Sequence, residues 1–397
     1  MNISRKVAGI APSMTLSINA KEKQMKAEGI DVIGFGAGEP DFDTPQHVKD
    51  ACIKAIKDGV TKYTPSEGTP ALRKAIAEKL EAENGLRYSP SDIVVSCGAK
   101  HSLFNAIFTI TNEGDEIIIP APYWLTYPEQ VSVSGGVPVY VHAGESTSYR
   151  VTADMIRSRV TAKTKAVILN SPSNPSGAVV DPKELEKIAA LALEKKFYII
   201  SDEIYEKILY DGKKHVSIAS ISPEIKEQTI LVNGFSKSFA MTGWRLGYTA
   251  GPKNVICAMS NFQSHSTSNP TSFAQAAAIT ALKDSDLFVK TMLESFTRRR
   301  KLMVDGLNAI PGIKCLNPDG AFYVYPSIRG LIGKKKGAFV ITDAMSFTEY
   351  LLAEARVAVV PGTPFGSPEN IRLSYATSDE KIKSGLDRME TAIKQLQ

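Results

Sequence analysis

Long apolar runs are missing from this chain: 43% of its 397 residues are hydrophobic, yet no stretch approaches the roughly 18 apolar residues that a membrane span requires. Cysteine is scarce and scattered. Cys52, Cys97, Cys257 and Cys315 form no CxxC pair, so neither a disulfide framework nor a thiolate zinc site is indicated, and buried free thiols are expected. The five histidines (His47, His101, His142, His215, His265) show no HExxH or related spacing, so no metal is expected, and no GxSxG elbow occurs. Zincin and α/β-hydrolase chemistries therefore lack their signatures. Neither sign of charge dominates: 47 Lys+Arg against 42 Asp+Glu leave +5, too dilute for a nucleic-acid surface. The compact basic runs are short, Arg298–Lys301 and Lys334–Lys336. Ahead of Pro12 there is no apolar segment of secretory length, so a cytoplasmic protein is expected, with neither membrane nor nucleic acid among its partners.

What is present is the texture of an α/β protein long enough for two or three domains. Val48, Cys52, Ala55 and Ile56 share a helix face after Pro45, as do Leu72, Ile76 and Leu80 between Pro70 and Gly85. Short, β-branched, unalternating runs predict strands at Ile93–Ser96, Glu116–Ile119, Ala166–Leu169, Phe197–Ser201, Ile230–Val232 and Gly247–Ala250. Such runs fit a largely parallel sheet covered on both faces, whose ligands bind beyond the strands' carboxyl ends. Strands at Ala321–Tyr325, Val357–Val360 and Ile371–Tyr375, with helices near Ser346–Ala355 and Glu380–Leu396, predict a smaller C-terminal α+β unit. A long helix around Phe288–Leu307 would join the two, and the N-terminal segment is expected to pack on the smaller one.

The strand ends carry the chemistry. After the first strand, Cys97, Gly98, Ala99 and Lys100 feed a helix predicted from Ser102, a turn suited to a phosphate, although many such glycines serve steric ends only. PAPYW places Trp124 near the same edge, as a stacking surface or a core aromatic. Asn174 lies in a stiff loop, NSPSNPSG, that would also read as a plain turn. The fourth strand delivers Asp202 and Tyr205, and a carboxylate at a semi-buried edge needs a cation to meet it. The fifth leads to Ser236 and Lys237, with Arg245 eight residues on. A desolvated lysine near positive charge is a usable carbonyl nucleophile, and the arginine fork suits a phosphate. GFGAGEP at Gly34–Pro40 fails as a dinucleotide fingerprint, because Glu39, Pro40 and Asp41 stand where a helix should open.

Taken with AGEPDFDTP from Ala37, KYTPSEG from Lys62 and RLSYATS from Arg372, these motifs resemble the fold-type I pyridoxal-phosphate aminotransferases of class I, in their bacterial aspartate aminotransferase branch, subgroup Ib. The resemblance spans nearly the whole chain. It implies a large domain (residues 46–290) with a mostly parallel seven-stranded sheet, a smaller α+β domain (291–397), and an N-terminal segment (1–45) packing with the latter. It implies pyridoxal 5'-phosphate as cofactor and a homodimer with shared active sites.

Position by position, Lys237 resembles the lysine that joins the cofactor and moves the substrate's α-proton, and Asp202 the carboxylate that keeps the pyridine nitrogen protonated. Tyr205 and Asn174 are similar to the partners of the phenolic oxygen, and Trp124 to the stacking ring. Gly98, Ala99, Lys100, Ser236 and Arg245 would form the phosphate cup, with Tyr63 reaching in from the neighbouring subunit. Arg372 resembles the α-carboxylate fork, assisted by Asn174 and the Gly38 backbone.

The implied reaction is reversible, ping-pong transfer of the amino group from L-aspartate to 2-oxoglutarate. Relatives acting on aromatic amino acids, glutamine, alanine, diaminopimelate or prephenate share the same contacts, and a cofactor-binding regulator or a lyase on this fold are further alternatives. No Arg or Lys occurs between Asn261 and Pro270 to grip a distal carboxylate. Prephenate-accepting relatives tend to carry a lysine before the Pro-Ser pair, where this chain has Ala11 before Pro12 and Ser13, so little or no prephenate activity is expected.

Overall fold

The computed structural model describes residues 3–397; residues 1 and 2 of the expected N-terminal segment lie outside the described residues. A short strand, β1 (Ile33–Gly34), precedes the strands of the main sheet: β2 (Ile93–Ser96), β3 (Glu116–Ala121), β4 (Val137–His142), β5 (Thr164–Asn170), β6 (Tyr198–Asp202), β7 (Thr229–Gly234) and β8 (Gly247–Ala250). Their order is β2-β8-β7-β6-β5-β3-β4. Only β8 runs against its neighbours. Since β2 and β7 are each antiparallel to β8, the other six strands all point the same way.

Both faces of this sheet are apolar. Ile117, Ile119, Ile168 and Ile200 pack on one side with Leu103, Ile107 and Met259 from covering helices. Their chain neighbours Ile118, Val167, Leu169 and Ile199 pack on the other with Leu185, Ile188 and Leu191. Successive side chains point to opposite faces, so a strand covered twice has no polar positions and reads as a continuous apolar run.

Within the main sheet, the strand missing from the sequence reading is β4. Its segment VPVYVH contains Pro138 and exposes Val137 and His142. It pairs only with β3, and proline is tolerated on such an edge because half of the ladder's donors face outward.

The C-terminal part adds β9 (Tyr323–Val324), a hairpin of β10 (Lys335–Lys336) and β11 (Phe339–Val340), then β12 (Val357–Ala358), β13 (Val360–Pro361) and β14 (Ile371–Ser374). Strands β13, β14 and β9 make an antiparallel sheet, while β1 pairs in parallel with β12. Ile33 and Phe35 thereby enter the same core as Phe296, Met303, Phe347 and Leu373. The long helix runs Asp286–Ala309. The helix expected to Ala355 is regular only over Ala344–Tyr350 and widens into a π turn at Leu351–Ala355. Among the described residues no helix is long and apolar enough to cross a membrane.

Candidate functional site

A cavity of about 230 Å³ opens beyond the carboxyl ends of the parallel strands and is walled on its far side by the C-terminal part. Each strand end contributes one feature. After β2, Gly98 adopts φ +91°, and a Cβ there would lie 2.6 Å from an Arg245 nitrogen. The helix Ala99–Ile110 therefore opens three residues earlier than its apolar pattern predicts. Its first amides have no intrahelical acceptor and carry the positive end of the helix dipole. Gly247, at the start of β8, lets this turn pack closely, since a Cβ there would meet the Ala99 nitrogen at 2.3 Å.

Asp202 ends β6, buried. Its Oδ2 accepts from the Tyr127 hydroxyl at 2.6 Å and its Oδ1 from the Ile204 amide at 3.3 Å. Burial pushes its carboxyl up to about 6 against the opposing pull of these two donors. Lys237 follows β7 in a turn, half-buried, with Nζ donating to the Gly38 carbonyl at 2.5 Å. Burial pulls its amine down to about 8; Glu39 opposes the shift, while Arg372 and Arg245 add to it.

Arg372, on β14, is 2% exposed and lies 4.6 Å from the centre of the Tyr323 ring and 5.2 Å from that of Phe365. Its Nη1 donates to Asn174 Oδ1 at 2.9 Å and its Nη2 to the Gly36 carbonyl at 2.8 Å. Its buried Nε has no partner among the described residues. Asn174 is itself held by Asn170, whose Oδ1 accepts the Asn174 amide and whose Nδ2 donates to the Asp202 carbonyl. Trp124 is half-buried, edge-on to Tyr127 at 5.5 Å, with the Lys100 amine 4.9 Å from its ring centre.

Of the residues singled out in the sequence, Gly38, Ala99, Lys100, Trp124, Asn174, Asp202, Tyr205, Ser236, Lys237, Arg245 and Arg372 all border this one cavity, with Gly98 just behind Ala99. Tyr63 does not: it is 91% exposed and stands outside the cavity of its own chain. The sequence reading missed Tyr127, Tyr323, Asn170, Ser13 and Thr15, which also line it. Tyr127 had a signal, three residues beyond Trp124 on the opening turn of a helix. Tyr323 lay inside an apparent strand, and Thr15 in an N-terminal helix whose pattern points to no ligand.

The residues fit a flat phosphorylated aldehyde. They offer a turn and an arginine for its phosphate, a buried carboxylate for a ring nitrogen, a low-pKa amine for its carbonyl, and on the same cavity wall a second arginine, Arg372, whose buried Nε has no partner among the described residues. The fold and cavity thus define an enzyme that holds an anionic ligand against a reactive lysine. The chain belongs to the class I and II aminotransferase family, whose sequence profile matches residues 30–389. It is 51% identical to an aspartate aminotransferase of Bacillus sp. (strain YM-2), over 99% of each chain. It is 46% identical to an aspartate/prephenate aminotransferase of Cereibacter sphaeroides, over 98% of each. Among solved structures, the aspartate aminotransferase of Rhizobium meliloti superimposes with a TM-score of 0.97 at 45% identity, covering 100% of both chains.

Proposed function

We propose that this aminotransferase uses pyridoxal 5'-phosphate to transfer the amino group of L-aspartate reversibly to 2-oxoglutarate, giving oxaloacetate and L-glutamate in two half-reactions. One observation carries the reading: four cations, Lys100, Lys237, Arg245 and Arg372, border the cavity, and none pairs with a carboxylate among the described residues. Among the described residues, Asp202 is the one carboxylate on the cavity wall against these four cations, and so unequal a balance is costly, so the site is built for a ligand set rich in anions. A cofactor phosphate and a dicarboxylic amino acid supply three.

Arg245, Ser236 and the first amides of the Ala99–Ile110 helix would hold the phosphate. Trp124 would cover one face of the ring, and Asp202, fixed by Tyr127, would hold a proton on its nitrogen. When bound, the cofactor supplies an electron sink for the pair left behind as the substrate's α-proton departs. Lys237 takes that proton and returns it, because its amine is neutral for much of the time near pH 8. Arg372 grips the α-carboxylate and Asn174 keeps the guanidinium in plane. The Lys100 backbone amide, on the first turn of that helix, stays with the phosphate, while its amine, exposed beside Trp124, is the cation left for the distal carboxylate; Thr15 Oγ1, buried without a partner among the described residues, belongs to a residue bordering the same cavity.

Tyr63 supports a homodimer with shared sites. An exposed tyrosine is of no use to its own cavity, and its segment is held rigidly by buried glutamines, Gln263 on the Ser66 carbonyl and Gln275 on Thr64. The pairing of β1 with β12 supports the packing of residues 1–45 on the unit 291–397, whose boundary with 46–290 falls within the long helix Asp286–Ala309. Prephenate is the second acceptor reading, carried by the relative of that name; Ser13 lines the cavity here, and Ala11 brings no cation to it. The test is product analysis: purified enzyme with cofactor, aspartate and 2-oxoglutarate should form glutamate and oxaloacetate in equal amounts, and absence of glutamate contradicts the proposal.

A further inference from the structure

Tyr205 and Tyr323 are both buried, and their hydroxyl oxygens lie 3.0 Å apart. Neither hydroxyl has any other hydrogen-bond partner among the described residues. The pair holds two protons, and only one can lie between the oxygens. The other donor must point elsewhere, and both residues border the cavity. A buried donor without an acceptor is costly, so the pair is poised for an acceptor brought by a ligand.

Which hydroxyl gives its proton to the other follows from charge. The Arg372 guanidinium lies 4.6 Å from the centre of the Tyr323 ring, which makes the Tyr323 hydroxyl the better donor. The same guanidinium also acts on Tyr205, but it stacks on the Tyr323 ring and not on that of Tyr205, and at Tyr205 the Asp202 carboxyl works against it. The bond therefore runs from Tyr323 to the Tyr205 oxygen, and the Tyr205 proton is turned into the cavity. Tyr323 also approaches the Lys237 anchor: a Cβ on Gly38, whose carbonyl accepts from Lys237, would sit 3.2 Å from the Tyr323 oxygen.

We propose that Tyr323 is a positioning residue, which sets the rotation of the Tyr205 hydroxyl toward the bound ligand and links that hydroxyl to the charge state of Arg372. When a substrate carboxylate neutralises the guanidinium, Tyr323 becomes a weaker donor, and Tyr205 in turn holds its ligand acceptor less firmly. The carboxylate clamp and the reacting end of the site then communicate through two hydroxyls and one ring. The inference rests on the cofactor reading above, with the cofactor's phenolic oxygen as the acceptor that Tyr205 meets.

Tyr323→Phe keeps the ring under Arg372 and removes only the hydroxyl. The experiment is a pH titration of the bound cofactor's visible absorption in four proteins: the parent, Tyr323→Phe, Tyr205→Phe and the double variant. A phenolic oxygen that loses a donor holds its proton more tightly. The midpoint should therefore rise by about half a pH unit or more in Tyr323→Phe, and further in Tyr205→Phe. In the Tyr205→Phe background, Tyr323→Phe should add nothing, and kcat should follow the same pattern while KM for aspartate changes less than about two-fold. A parent band with an unmoved midpoint in Tyr323→Phe overturns the role of Tyr323 alone, as do equal shifts from Tyr323→Phe in both backgrounds. A parent protein that takes up no cofactor band overturns the underlying reading and this inference with it.

Discussion

The Tyr127 hydroxyl donates to Asp202 Oδ2 at 2.6 Å, joining the first turn of the helix after β3 to the end of β6 beneath the cavity. This bond, with the Ile204 amide, offsets part of the burial that pushes the Asp202 carboxyl up. Tyr127→Phe should therefore leave Asp202 harder to ionise and less well aimed. A hydrogen bond to a charged group contributes about 1.5–3 kcal/mol, so kcat/KM for aspartate should fall about 10- to 100-fold. Steady-state kinetics check it, and an unchanged kcat/KM would show that Asp202 does not depend on this contact.

Arg372 and Lys100 should separate general from specific recognition. Arg372→Lys loses the fork that spans Asn174 and Gly36, and should cost about 10²- to 10³-fold in kcat/KM for aspartate and alanine alike. Lys100→Ala should cost aspartate about ten-fold or more while alanine changes less than about three-fold. Equal losses for both substrates in Lys100→Ala would remove the Lys100 amine from distal-carboxylate recognition.

The lowered Lys237 amine has a signature in the cofactor-free protein. An amine is nucleophilic only when neutral, so labelling of Lys237 by an amine-directed reagent should rise with a midpoint near pH 8, set by burial. Exposed lysines follow at about pH 10.4. Peptide mapping reads each site separately, and a Lys237 midpoint among the exposed lysines would contradict the assignment.

Behind the strand that delivers Asp202, Lys79 and Glu206 form a buried ion pair, 4% and 7% exposed, joined by Asn84. Burial works to raise the Glu206 pKa, but the Lys79 charge and the two hydrogen bonds outweigh it and bring it down to about 2 from an ordinary 4.5. Because the folded value is depressed, the pair's stabilisation is present above pH 4.5 and is lost as pH falls toward 2. Glu206→Gln strands the Lys79 charge, with Glu83 at 3.5 Å as partial compensation, and should cost about 3 kcal/mol at neutral pH. Urea unfolding between pH 7 and 3 checks it: the variant's stability should vary less over the acid range than the parent's. A neutral-pH loss under about 1 kcal/mol would contradict it.

The legible part of this site was the part that sits at strand ends. Lys237 and Asp202 each follow a short apolar run, and a charged residue in that place has few structural uses. Tyr127 and Tyr323 were not legible, because a tyrosine beside other aromatics looks the same whether it fills a core or orients a neighbour; only the distances 2.6 Å and 3.0 Å separate the two. The same limit hid β4, whose Pro138 is a strand breaker everywhere except on an edge, and edge position is a property of the assembled sheet. Thr15 was invisible for a further reason: it borders the cavity on a helix that packs against β12 and β13, more than 300 residues away in the chain.

The central claim, that Lys237 and the cations around it run an aspartate half-reaction, is tested most directly by the visible spectrum of the cofactor-loaded protein as aspartate alone is added. The account predicts rapid loss of the cofactor's absorption band with aspartate, a far slower loss with alanine or phenylalanine, and full recovery on adding 2-oxoglutarate. A band that aspartate leaves unchanged would contradict it.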